Sequence, residues 1–164
     1  RPTHGPKLCV MVSAKKSKRP VSRGEIRLTG PSINDPISVD LGALEDQSDV
    51  DSLVASVRQC REVGRQAALA EWGATEVHPG PDVDDTDEAL EAYVRSTAVT
   101  YHHQVGTCKM GIDDMAVVDP RTLKVYGLDG VRVADASIMP LVITGNTNAP
   151  SVMIGERAAT MILN

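Results

Sequence analysis

The sequence predicts an α+β fold. Short β-branched or alternating runs stand near the start, and longer stretches with apolar residues at helical spacing follow them. The length of 164 residues suffices for one ordinary domain with a core of its own.

The elements follow in chain order. "KLCVMVSA" (7–14) is short, apolar and β-branched, and reads as a strand. "KKSKRPVSRG" (15–24) is a basic loop punctuated by Pro and Gly. "GEIRL" (24–28) alternates polar and apolar, as a half-buried strand does. The turn-rich segment after it holds an extended piece at Ile37–Leu41. Asp49 to Ala70 reads as the longest helix, because Val50, Leu53, Val54, Val57, Cys60 or Arg61, and Val63 recur at helical spacing. Ser48 or Asp49 can cap it by accepting a bond from a free backbone N–H of the first turn. Gly64 is where a bend or break is expected.

"HPGPDVDDT" (78–86) is a loop. Its Thr86 caps a second helix running from Asp87 to about Ala98, with Ala89, Leu90, Tyr93 and Val94 inward. Asp87 and Glu88 suit the positive end of that helix dipole. Short strands follow at Val117–Val118 and Lys124–Val125, with turns at Asp119-Pro120 and Asp129-Gly130. A buried strand at Val131–Ala134 then delivers the loop that begins at Asp135. In the last segment Asn148 can cap, Pro150 fits a first helical turn, and Val152, Met153, Glu156 and Ala159 fall at helical spacings.

Composition narrows the function. Hydrophobic residues at 41% and charged residues at 24% match a globular protein. The net charge of -5 argues against nucleic acid, whose phosphates require a basic face. Trp72, Tyr93, Tyr101 and Tyr126 are the only aromatics, too few for a base-stacking platform. No apolar run approaches the roughly 20 residues of a membrane span, and no signal peptide is visible. No membrane span and a cytoplasmic location are therefore expected. Cys9, Cys60 and Cys108 form neither a disulfide framework nor a CxxC pair, so reduced, packed thiols are expected. The chain opens at Arg1 rather than Met. The expectation is a fragment, a processed chain or one half of a split protein.

Two stretches carry candidate chemistry. In "TYHHQVGTCKMG" (100–111), His102 and His103 are adjacent. Neighbouring side chains diverge by about 100° on a helix and take opposite faces on a strand. They rarely share one metal, and no HxxxH, HxH or Cys pair supports a metal site. His103 can act as a general base, since imidazole titrates near neutral pH. A cysteine hydrolase using Cys108 with His103 is a weaker reading. The second stretch is "ITGNTNAP" (143–150), where Asn146 and Asn148 precede a helix start. On spacing alone it is equally an anion-binding helix N-terminus or a plain Asn cap.

Three blocks agree on one family. "YHHQVGTCKMG", "VVDPRTLKVYGLDGVRVADASIMP" and "GNTNAPSVMIGERAATMIL" strongly resemble the C-terminal part of the glucose–methanol–choline (GMC) oxidoreductases, which are FAD-dependent alcohol oxidases and dehydrogenases. The likeness covers essentially the whole chain, in order. The family pattern His-x-Val-Gly-Thr-Cys-x-Met-Gly selects His103. His102 departs from it, since that position usually holds an aromatic residue. The resemblance implies that His103 and Asn146 are catalytic and face the reactive end of the flavin. It also implies cofactor contacts from Asp135 and Ala136, and from Thr147, Asn148, Ala149 and Pro150 at the pyrimidine edge.

The chemistry is coherent. A histidine base beside a hydrogen-bonding Asn can orient an alcohol and take its proton while hydride passes to the flavin. The Rossmann GxGxxG that would bind the ADP half of FAD does not occur in these 164 residues. The resemblance therefore implies part of the family's substrate domain (residues 1–110, antiparallel sheet with helices) plus the closing strand and helix of its FAD-binding domain (residues 111–164). That fold is incomplete without an N-terminal Rossmann half, in the same parent chain or a separate one. The expected partners are that half and a small-molecule alcohol. The chain alone is expected to be inactive. The alternative is a non-catalytic assembly module retained after loss of the flavin half.

Overall fold

The computed structural model describes residues 19–100 and 102–163. The strand expected at 7–14 lies outside them. The described chain divides into two compact units, one of 42–99 with 19–23, the other of 24–41 with 100 and 102–163.

The second unit begins with a hairpin. β1 (Glu25–Leu28) pairs antiparallel with β2 (Ile37–Asp40), Ile26 opposite Val39 and Leu28 opposite Ile37. Side chains alternate along a strand, so these four residues share one face and Glu25, Arg27, Ser38 and Asp40 share the other. All eight are exposed in the described chain, Leu28 at 83%. Gly24 fits at the hairpin's base because a Cβ there would lie 2.1 Å from the Asp40 carbonyl oxygen.

The first unit is helical. α1 (Gln47–Gly64) is followed by the single turn α2 (Ala67–Ala70) and by α3 (Asp87–Thr97). The break expected at Gly64 within the 49–70 helix is present: Gln66 is extended, with ψ 142°, and separates α1 from α2. Gly64, with its low helix propensity, ends α1. The cap is Asp46, which accepts the Ser48 N–H at 2.9 Å, rather than Ser48 or Asp49. Asp49 instead accepts the N–H groups of Val21 and Ser22 at 2.9 and 2.8 Å, tying the chain before the hairpin to α1. Partial burial raises its pKa, and hydrogen bonding from the Ser22 side chain and from these two N–H groups, with the charge of Arg23, outweighs that to hold it below the ordinary value.

α3 matches its expectation. Thr86 Oγ1 accepts the Ala89 N–H at 3.2 Å. Leu90 and Val94 are buried against Val50, Val54 and Val57 of α1, with Tyr93 packed at the edge. The 76–85 loop between α2 and α3 is gathered on one buried side chain of α1. Arg61 reaches Glu76 Oε1 at 2.9 Å, the Val83 carbonyl at 2.7 Å and Asp85 Oδ1 at 3.4 Å.

In the second unit, the strands expected at 117–118, 124–125 and 131–134 are reduced to isolated bridges. Met110 pairs with Val118, Val118 with Val125, and Lys124 with Arg132. Val131 is 43% exposed, which corrects the expected buried strand. The turns at Asp119 and Asp129 leave room for one ladder residue at a time. A 3-10 turn (Ala136–Ile138) and α4 (Asn148–Leu163) complete the unit. Ile154 and Ala158 are the buried residues of α4, whereas Val152, Met153, Glu156 and Ala159 lie outward. Among the described residues no helix is long and apolar enough to cross a membrane.

Arg61 sets a measurable stake. Arg61→Met keeps the aliphatic stem and leaves the part-buried carbonyl of Val83 and the Glu76 carboxylate without their donor, while Asp85 keeps Arg58. Urea unfolding should show a loss of about 1–3 kcal/mol, below the cost of a fully buried pair because Glu76 and Asp85 keep water contact. A loss under about 0.5 kcal/mol would mean that the 76–85 loop does not depend on it.

Candidate functional site

The histidine loop hangs on the 3-10 turn. Cys108 N–H donates to the Ser137 carbonyl at 3.0 Å, and Met110 N–H donates to the Ile138 carbonyl at 2.8 Å. Behind these bonds lies the core of the unit, formed by Val118, Leu123, Ile138, Met139, Ile154 and Ala158. Val105, Cys108 and Met110 pack against it from the histidine loop. Cys108 thus serves as a small apolar residue in packing.

Gly106 lets the loop turn onto this core. Its φ is 94°, and a Cβ there would lie 3.4 Å from the Met139 carbonyl oxygen. On the far side of the loop, Lys109 binds Asp113 Oδ1 at 2.7 Å. That ammonium, with the Met115 N–H, holds the Asp113 carboxyl below its ordinary range.

The two histidines take different environments. His102 has φ 62° and is exposed; His103 is half-buried. His103 Nδ1 lies 2.9 Å from Thr147 Oγ1, a contact spanning 44 residues of sequence. Its Nε2 is shielded from water.

Thr147 is the residue from which α4 springs. Its carbonyl accepts the Ser151 N–H at 3.0 Å and the Ser151 hydroxyl at 2.6 Å. This makes Thr147, rather than Asn148, the cap of the helix. The N–H groups of Asn148 and Ala149 make no hydrogen bond among the described residues, and both residues are exposed. Pro150 has no N–H. The start of a 16-residue helix therefore offers two donors, with the positive end of its dipole behind them.

The remaining candidates lie around this pair. Asn146 is exposed and one peptide away from the residue that touches His103. Asp135 spends one carboxylate oxygen on capping the 3-10 turn, accepting the Ser137 N–H at 2.8 Å. Ala136 packs on the core. Among the described residues no three His, Cys, Asp or Glu side chains gather as metal ligands would. The resemblance implies a cofactor contact for Thr147 but not its side-chain contact with His103. One local signal existed: a Thr at a helix start with Pro three residues on.

The sequence model of the GMC oxidoreductases matches residues 20–155. An oxygen-dependent choline dehydrogenase of Burkholderia cenocepacia is 44% identical over 146 residues, covering 89% of this chain and 25% of the relative. One from Escherichia coli O127:H6 is 42% identical, covering 89% of this chain and 26% of the relative. Among solved structures, pyridoxine 4-oxidase from Mesorbium loti superposes with a TM-score of 0.77 at 31% identity, over 87% of this chain and 27% of the other. A fungal aryl-alcohol oxidase does so with a TM-score of 0.78 at 36% identity, over 88% of this chain and 24% of the other. The chain thus spans about a quarter of the length of these relatives.

The histidine loop can be tested apart from any activity. Gly106→Ala forces a side chain into left-handed backbone and should lower stability by about 1–2 kcal/mol in urea unfolding. Gly145→Ala has open space around the added Cβ and should stay within about 0.5 kcal/mol. Equal effects would refute the role given to the turn at Gly106.

Proposed function

Because the chain belongs to the GMC oxidoreductase family, we propose that it is the catalytic C-terminal part of an FAD-dependent alcohol oxidoreductase. The observation that carries this is the contact of His103 with Thr147 at the foot of α4. It brings the family's histidine motif and its "GNTNAP" segment together across 44 residues. His103 takes the hydroxyl proton of the substrate. Asn146, beside the contact, orients the substrate oxygen by hydrogen bonding. FAD, when bound, supplies the acceptor for the hydride.

The residues present fit such a group. The free N–H groups of Asn148 and Ala149, at the positive end of α4, suit an edge that gains negative charge. Thr147 and Pro150 flank them, and Asp135 and Ala136 serve the ribityl and pyrophosphate side. In this reading residues 1–110 belong to the substrate domain and 111–164 to the flavin domain. FAD is held mainly by a Rossmann part outside these 164 residues, in the same parent chain or a separate one. Choline is the alcohol to try first, since two relatives at 44% and 42% identity are oxygen-dependent choline dehydrogenases.

The test is made in the FAD-loaded holoenzyme that carries this chain, against a panel of alcohols. His103→Ala should lower kcat/KM by about 10²–10⁴-fold. A change within twofold would remove His103 as the base. The 164-residue chain alone should be colourless and reduce no dye; a yellow, active preparation would refute the split of roles.

A further inference from the structure

We infer that Thr147 is a positioning residue for His103, its side-chain hydroxyl accepting the Nδ1 proton and so fixing the tautomer in which Nε2 takes the substrate's proton. This rests on the base role proposed above and adds to it a group that touches no substrate.

The first observation is the geometry. Thr147 is 8% exposed, and its Oγ1 lies 2.9 Å from His103 Nδ1. A threonine buried to that degree has its hydroxyl engaged with something specific, because leaving it unmade is costly. The second observation is the position in the helix. A threonine at a helix cap ordinarily turns its hydroxyl back to the N–H of the second or third helical residue. With Asn148 as the first residue of α4, the third is Pro150. Proline has no N–H to give.

The hydroxyl is thus relieved of much of its capping duty and is directed at the imidazole instead. The helix start is still secured, because the Thr147 carbonyl accepts two bonds from Ser151. Thr97 and Ser151, at other places, use their hydroxyls on carbonyls of their own helices. Thr147 uses its hydroxyl across the fold.

Direction matters chemically. A neutral imidazole carries one N–H, and the other nitrogen accepts. If Nδ1–H donates to Thr147, Nε2 has the lone pair that a base needs. If the hydroxyl donates to Nδ1 instead, Nε2 carries the proton and cannot act. The same acceptor also steadies the imidazolium formed after proton uptake, since a charged donor makes the stronger bond.

The experiment has two arms. In the first, ¹⁵N NMR of histidine-labelled protein reads the tautomer of His103 directly, with no turnover required. Protonated Nδ1 is expected; a wild-type ring protonated on Nε2 at neutral pH overturns the proposal even if the Thr147 variants fail to fold.

In the second arm, Thr147→Val keeps the shape and removes the hydroxyl. In the holoenzyme kcat should fall about tenfold or more, the acid limb of kcat/KM should move to lower pH, and the ¹⁵N spectrum should show mixed tautomers. Thr147→Ser should restore all three. An unmoved acid limb and an unchanged tautomer overturn the proposal whatever kcat does, as does a limb moved to higher pH. If His103→Ala leaves turnover intact, the base role fails, and the ¹⁵N spectra still decide whether Thr147 holds the ring.

Discussion

The second unit depends on two backbone bonds, Cys108 N–H to Ser137 carbonyl and Met110 N–H to Ile138 carbonyl. They lay an irregular loop along an equally irregular 3-10 turn, with neither a full strand nor a long helix to guide it. Buried backbone polar groups must find partners, and here they find each other. The apolar side chains of the loop then fall on the core that also receives Ile154 and Ala158 of α4. One patch of packing therefore carries both sides of the His103–Thr147 contact.

This arrangement explains why so little regular structure suffices. A side chain positioned for chemistry must be held against displacement in several directions. His103 gains one constraint from the loop's attachment, one from the turn at Gly106, and one from the hydroxyl at the start of α4. Each comes from a different stretch of sequence. None of the three is a strand ladder, so the isolated bridges at Val118 and Lys124 are enough to close the unit.

What the residues reveal locally was legible in advance. Thr86 followed by Asp87 and Glu88 announced α3, because capping and dipole complement act within one turn. Leu90 and Val94 declared its buried face by spacing alone. α1 was harder. "EDQSD" holds several residues able to cap, and the choice of Asp46 over Asp49 turned on a distant need, the N–H groups of Val21 and Ser22. The 131–134 segment had the composition of a strand, but a ladder requires a partner strand of equal length, and a single bridge is what formed. The histidine motif was legible as a pattern, while its hydroxyl partner was not. No periodicity links positions 103 and 147.

The hairpin has a consequence of another kind. Among the described residues β1 and β2 form a sheet with two edges and no third strand, and the face bearing Ile26, Leu28, Ile37 and Val39 carries no charge to discourage a neighbour. Open edges with an apolar face are templates for pairing with any extended segment nearby. These eight residues, remote from the histidine in sequence, are such a template among the described residues. What covers them decides whether the chain stays monomeric as its concentration rises.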